Sequence, residues 1–125
     1  MSTKVLVFEN DAAFAAELVH EFQRLNCSVL VVDDGNVGLQ KAVSDRPDVI
    51  LLSIELPRMN GFSVCNKLKK DPELKDVPLI IMSSSSTGET FDAHRRLRTR
   101  ADDYLHKPVA FADLLRHVRQ FLPVG

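Results

Sequence analysis

The feature that most constrains this chain is an alternation: five short aliphatic runs, each followed by a segment with helical spacing. The runs are Lys4–Phe8 (KVLVF), 28–34 (SVLVVDD), 48–54 (DVILLSI), 77–82 (VPLIIM) and the DYLHKP stretch whose strand ends at Lys107. Near-continuous apolar runs of this length mark strands buried on both faces. The segments between them repeat apolar residues at the spacing of one helix face. Phe14, Ala15, Leu18, Val19, Phe22 and Leu25 form the first such face, with Asn10 or Asp11 as its N-cap. Val37, Ala42 and Val43 are expected to point inward from the second helix, and Phe62, Cys65 and Leu68 from a third over 63–70. A fourth helix over 89–98 is anchored by Phe91, His94 and Leu97. A fifth over 113–122 presents Leu114, Leu115, Val118 and Phe121, and Pro123 ends it. Strands joined by helical crossovers predict an α/β fold, a doubly wound five-stranded parallel sheet with helices on both faces.

With 125 residues, of which 45% are hydrophobic and 26% charged, the chain is expected to form one domain over 1–125 with a real core. A net charge of -1 argues against a general nucleic-acid binder, and no apolar run is long enough to span a bilayer. Cys27 and Cys65 have no CxxC spacing, so both are expected as reduced, buried thiols of a cytoplasmic protein. The charge is unevenly spread. Residues 1–57 hold four basic and nine acidic groups, whereas 58–125 hold twelve basic and eight acidic.

In an open α/β sheet, ligands collect beyond the carboxyl ends of the strands. The residues there are Glu9, Asn10 and Asp11 after the first strand, Ser53 after the third, Ser83 after the fourth and Lys107 after the fifth. Acids in ENDAAF would repel the phosphate of a flavin-type cradle, and the chain has no GxSxG elbow for a hydrolase. His20, His94, His106 and His117 lack metal-ligand spacing, and each is expected at the surface or half-buried. Among them His106, beside Lys107, is the one nearest the rim chemistry. Glu55 is expected as a solvated loop carboxylate, and Ser53 as a small hydroxyl at a strand end.

The stretches KVLVFENDAAF, RPDVILLSIELPRMNGFSVCNKLKKDPELKDVPLIIMS and ADDYLHKP together resemble the response-regulator receiver family, the CheY-like phosphoacceptor domains. The resemblance implies strand order 2-1-3-4-5 and a cis Lys107-Pro108 bond. It also implies phosphotransfer from a histidine kinase to an aspartate ending the third strand, assisted by magnesium on acidic residues after the first. Carried over position by position, Ser83 is the hydroxyl, Lys107 the lysine and Tyr104 the aromatic switch. The phosphoacceptor position is Ser53, and Glu9 and Asn10 stand at the metal-binding aspartates. The text from FDAHRRL through ADDYLHKPV is also similar to the receiver domain of a bacterial motility protein that lacks the aspartate.

These departures point one way. Serine forms a stable phosphate ester rather than a transient acyl phosphate, and magnesium wants charged oxygen ligands. Magnesium binding is therefore expected to be lost or weak, with no other cofactor and no catalytic residue. A rim lysine left without aspartates needs an opposing charge, which predicts a Glu9–Lys107 pair. The expected function is a pseudo-receiver: a phosphorylation-independent protein-protein interaction module. The alternatives are phosphorylation at a non-standard residue and switching by a small anion. Arg95, Arg96, Arg98, Arg116 and Arg119 are expected to form a partner face on helix four, strand five and helix five, suited to an acidic protein surface. A weak homodimer stays open, and neither nucleic acid nor membrane is an expected partner.

Overall fold

The computed structural model describes residues 2–124 and realises the alternation. Strands β1 (Lys4–Phe8), β2 (Ser28–Val32), β3 (Val49–Ser53), β4 (Leu79–Ser83) and β5 (Asp103–His106) alternate with helices α1 (Ala12–Arg24), α2 (Gly35–Asp45), α3 (Gly61–Lys70), α4 (Gly88–Arg95) and α5 (Phe111–Val118). All pairings are parallel, in the order β2-β1-β3-β4-β5. That order puts β3 in the middle, and every residue of β3 and β4 is buried.

The pleat sends alternate residues to opposite faces. Val5, Val7, Val49, Leu51, Ile80 and Met82 pack with Leu18 and Phe22 of α1 and Leu114, Leu115 and Val118 of α5. Leu6, Phe8, Ile50, Leu52, Leu79 and Ile81 pack on the other side with Ala42, Val64, Leu68 and Phe91. Each such side chain contributes about 1.5–3 kcal/mol of burial, which is why these strands need no alternating pattern. Asp11, Asp34, Asn60 and Thr87 accept backbone N–H groups at the starts of α1, α2, α3 and α4. The Lys107-Pro108 peptide is cis. Cys27 and Cys65 are buried and free, and burial pushes the Cys65 thiol up to about 12.

The helices depart from expectation where small residues or caps decide. Val37 and Val43 are exposed rather than inward, because α2 packs through Gly35, Gly38 and Ala42. A Cβ on Gly38 would lie 2.0 Å from the Phe8 ring, so this face is lined by small residues and not by valine. Helix α4 stops at Arg95, which leaves Leu97 exposed in the following turn. Helix α3 starts at Gly61, earlier than its apolar pattern, because Asn60 caps it. There a Cβ would sit 2.5 Å from the Ser53 carbonyl oxygen and 2.7 Å from Ile54 Cα. The third helix thus presses its first turn onto the end of β3, and only glycine allows that approach. Among the described residues no helix is long and apolar enough to cross a membrane.

Candidate functional site at the strand ends

Parallel packing delivers the ends of β1, β3, β4 and β5 to one rim, and two separate carboxylates organise it. The first is Glu9, which follows β1 and is 3% exposed; Ser53, the last residue of β3, is fully buried. Glu9 Oε1 accepts the Ser53 hydroxyl at 2.5 Å and the Lys107 ammonium at 3.0 Å. Lys107 Nζ also donates to Ser53 Oγ at 3.1 Å. Glu9 Oε2 accepts the backbone N–H groups of Asn10 and Asp11, each at 3.0 Å. A carboxylate offers about four lone-pair directions, and these donors occupy all of them. The ion pair expected from sequence is present, and it draws in Ser53 as a third member.

Asn10 and Asp11 do not complete an acidic pocket. Both are exposed, and the Asp11 carboxylate is turned to the start of α1, where it accepts the N–H groups of Ala13 and Phe14. The magnesium ion of the family resemblance therefore does not fit this set. Glu9 is saturated by internal donors, Ser53 and Asn10 are neutral, and Asp11 is a helix cap. Among the described residues no three His, Cys, Asp or Glu side chains gather as a metal set. An open cleft of about 370 Å³ beside Lys107 is bounded by Asp11, Phe14, Glu17, Ser84, Pro108 and Val109. Its two acids disfavour an incoming anion.

The second carboxylate is Glu55, and here the expectation of a solvated loop group is corrected. Its Oε2 accepts the hydroxyls of Ser83 at 2.6 Å and Ser85 at 3.1 Å; its Oε1 accepts the N–H and the hydroxyl of Ser84 at 3.0 and 3.1 Å. Burial on its own raises this carboxyl, but the hydrogen bonds from Ser83, Ser84 and Ser85 outweigh it and hold the group below its ordinary value. Ser83, the hydroxyl carried over from the family, is thus committed to Glu55 and not to the Lys107 cluster. The signal available in sequence was the position of Glu55, two residues past Ser53 and opposite a run of four serines.

The third feature is a polar chain centred on His94, an expected anchor of the fourth helix that is more deeply buried than a half-exposed histidine. Tyr104 and His94 are each 6% exposed. The Tyr104 oxygen lies 2.5 Å from His94 Nδ1 and accepts the Ala101 N–H at 3.0 Å. His94 Nε2 sits 2.9 Å from Asn66 Oδ1, which also accepts the Thr99 hydroxyl at 2.7 Å. An amide oxygen only accepts, so Nε2 carries the proton, Nδ1 is bare, and the Tyr104 hydroxyl donates to it. Burial lowers the His94 pKa, consistent with a neutral ring, and pushes the Tyr104 phenol up. His106, by contrast, is exposed on β5 and rests against the Phe91 ring with centroids 4.6 Å apart.

The arginines expected on the partner face have different neighbours. Arg95 pairs with Asp92 at 2.7 Å and covers the Tyr104 ring at 4.6 Å; Arg116 pairs with Asp113 at 2.9 Å. Arg119 donates to the Val124 carbonyl at 2.8 Å. Arg96 and Arg98 have no carboxylate partner among the described residues. Because α4 ends early, Arg98 and Arg100 fall in the next turn and line a polar recess of about 300 Å³ with Lys69, Lys75 and Asp102. In that recess Lys69 is neutralised by Asp102 at 2.8 Å.

Two outcomes follow from this geometry. Glu9→Gln leaves the Lys107 ammonium buried without its counter-charge and is expected to lower unfolding stability by about 3–5 kcal/mol in urea denaturation. Adding Lys107→Met should recover much of that loss; strictly additive effects would show that the two groups are not coupled. For His94 the folded pKa lies below the ordinary 6.5, so the neutral form's stabilisation is complete above 6.5 and is lost as pH falls through the folded pKa. Between about pH 7.5 and about pH 5, wild type should lose more stability than His94→Gln. Parallel curves would contradict the buried neutral ring.

The comparisons with known proteins agree with this architecture. The response regulator receiver domain model matches residues 5–119. Response regulator ArlR of Staphylococcus saprophyticus is 34% identical over 120 residues, which cover 96% of this chain and 52% of that protein. The DNA-binding dual master transcriptional regulator RpaA of Synechocystis is 30% identical over 119 residues, covering 95% and 48%. The chain therefore spans about half the length of these relatives. Among solved structures, the Vibrio cholerae chemotaxis protein CheY4 aligns with a TM-score of 0.88 at 24% identity, covering 98% of this chain and all of that one. The signal receiver domain of a histidine kinase from Syntrophus aciditrophicus aligns with a TM-score of 0.84 at 28% identity, covering 97% and 90%. With the strand order and these matches in agreement, the chain belongs to the response regulator receiver domain family.

Proposed function

We propose that this receiver domain works as a pseudo-receiver, a protein-binding module that signals without an acyl phosphate at the end of β3. One observation carries the reading: β3 ends in Ser53, whose hydroxyl is buried and bonded to Glu9, and the Lys107 ammonium is bonded to the same carboxylate. An acyl phosphate needs a carboxylate nucleophile, and the residue here offers only an alcohol. The donors that would receive a phosphoryl group already have anions: Lys107 has Glu9, and Ser83 has Glu55. Buried, unpaired Cys27 and Cys65 support a reducing, cytoplasmic setting. The relatives named as transcriptional or response regulators extend well beyond this domain, so an output of that kind would reside outside the stretch compared.

Magnesium with beryllofluoride, which mimics an acyl phosphate on an aspartate, is expected to leave the amide shifts of Ser83, Tyr104 and Lys107 in place. Saturable movement of those signals would establish a working phosphoreceiver and reject the reading.

The partner reading rests on the cations without internal carboxylates. Arg96 and Arg98 remain available to an acidic protein surface, whereas Arg95 and Arg116 are already paired. Reversing charge at Arg96 and Arg98 together should weaken partner capture in a salt-sensitive way. Equal capture by both forms would move the docking surface elsewhere.

A further inference from the structure

Four consecutive serines, 83–86, run from the last residue of β4 into the loop before α4, and three of them close on a single carboxylate. Three hydroxyls and one backbone N–H converge on the two oxygens of Glu55, at 2.6 to 3.1 Å. The Ser83 oxygen in turn accepts the N–H groups of Ser85 and Ser86 at 3.3 and 2.9 Å, and lies 2.8 Å from Ser86 Oγ. The loop is therefore folded inward around an anion, with Ser83 buried as its hub. Thr87 follows directly and caps α4, so the course of the serines decides where that helix begins.

An all-serine turn has no apolar reason to take this shape. Its donors would otherwise compete for water, and charge-assisted bonds to a carboxylate are about twice as strong as neutral ones. Glu55 comes from the β3–α3 loop, so the contact joins two loops that share no other side-chain hydrogen bond among the described residues. Its carboxyl stays ionised near neutrality because the serine bonds outweigh the effect of burial.

We propose that Ser83, Ser84 and Ser85 form an oxyanion-binding cradle whose resident ligand is the Glu55 carboxylate of the same chain. The cradle recognises a small carboxylate or similar oxyanion by hydroxyl and N–H donors, and holds the start of α4 only while it is filled. It rests on the reading that no phosphoryl group forms at β3, since such a group would compete with Glu55 for the Ser83 hydroxyl. The occupant is internal, so the latch is permanently closed unless Glu55 is withdrawn.

Removing the ligand while leaving the donors tests this directly. Glu55→Ala should lose amide-exchange protection at Ser84 and Ser86 by at least tenfold and shift the signals of residues 88–94, while β1 and β3 amides stay in place. Sodium acetate, which replaces the missing carboxylate, should then restore those signals saturably in the alanine variant and leave wild type unchanged. Unchanged loop amides in Glu55→Ala would overturn the proposal, as would a disordered loop that acetate does not restore. Glu55→Gln, which keeps the shape and one acceptor oxygen, provides the same exchange measurement should the alanine variant fail to fold; full retention of protection there would also count against an anion cradle. Magnesium and beryllofluoride appear in neither arm, so a positive response of wild type to them would reject the phosphate-free reading without touching the acetate result.

Discussion

The saturation of the Glu9 carboxylate is the constraint around which this rim is built. An ionised group that is 3% exposed survives only if every lone pair finds a donor, and Glu9 finds Ser53, Lys107 and the N–H groups of Asn10 and Asp11. Those donors come from β1's own exit, from the end of β3 and from the residue after β5. The carboxylate thus ties together chain segments up to 98 residues apart. A loss of about 3–5 kcal/mol on breaking such a pair would be a large share of a domain's usual 5–15 kcal/mol.

Around that centre the rim divides into two closed circuits with no shared member. Glu9, Ser53 and Lys107 form one; Glu55 and the serine loop form the other. In each, a strand-end hydroxyl is held by a carboxylate belonging to the chain. No buried side-chain nitrogen or oxygen among the described residues lacks a partner. Gly61 closes the β3–α3 loop between the circuits: its N–H donates to the Ile54 carbonyl at 3.0 Å, and a side chain there would meet the Ser53 carbonyl. Both rim carboxylates thus have their donors supplied from within the chain.

How far this was legible in the amino-acid order follows from which forces act at each point. The five strands were readable because they are buried on both faces, and their order followed from the family resemblance. The Glu9–Lys107 pair was readable because a buried cation demands an opposing charge whatever the local geometry. The inward face of α2 was legible only at Ala42: hydrophobicity also pointed to Val37 and Val43, while close approach to Phe8 selected Gly38, and to Val64 and Met59 selected Gly35. Glu55 was misplaced, and His94, foreseen as an anchor of the fourth helix, came without its partners, because those depend on how a serine turn folds back and on which helix position meets Tyr104. The early end of the fourth helix was not legible for a similar reason. The end of α4 at Arg95 turns Arg98 and Arg100 into a different recess.

The polar chain from Thr99 through Asn66 and His94 to Tyr104 ties α3, α4 and the turn after α4 to β5. Phe91 packs against Tyr104 at 5.2 Å between centroids and against His106 at 4.6 Å, so one α4 side chain spans two residues on the same face of β5. The same helix starts at the turn that Glu55 holds and carries His94 near its end. A displacement of the serine loop would therefore move Phe91 and His94 together, and with them the Nδ1 atom that accepts the Tyr104 hydroxyl. Helix α4 is the rigid element between a loop governed by a carboxylate and a tyrosine governed by a neutral imidazole. Its placement depends on both, which makes the surface it presents a property of internal charge pairing.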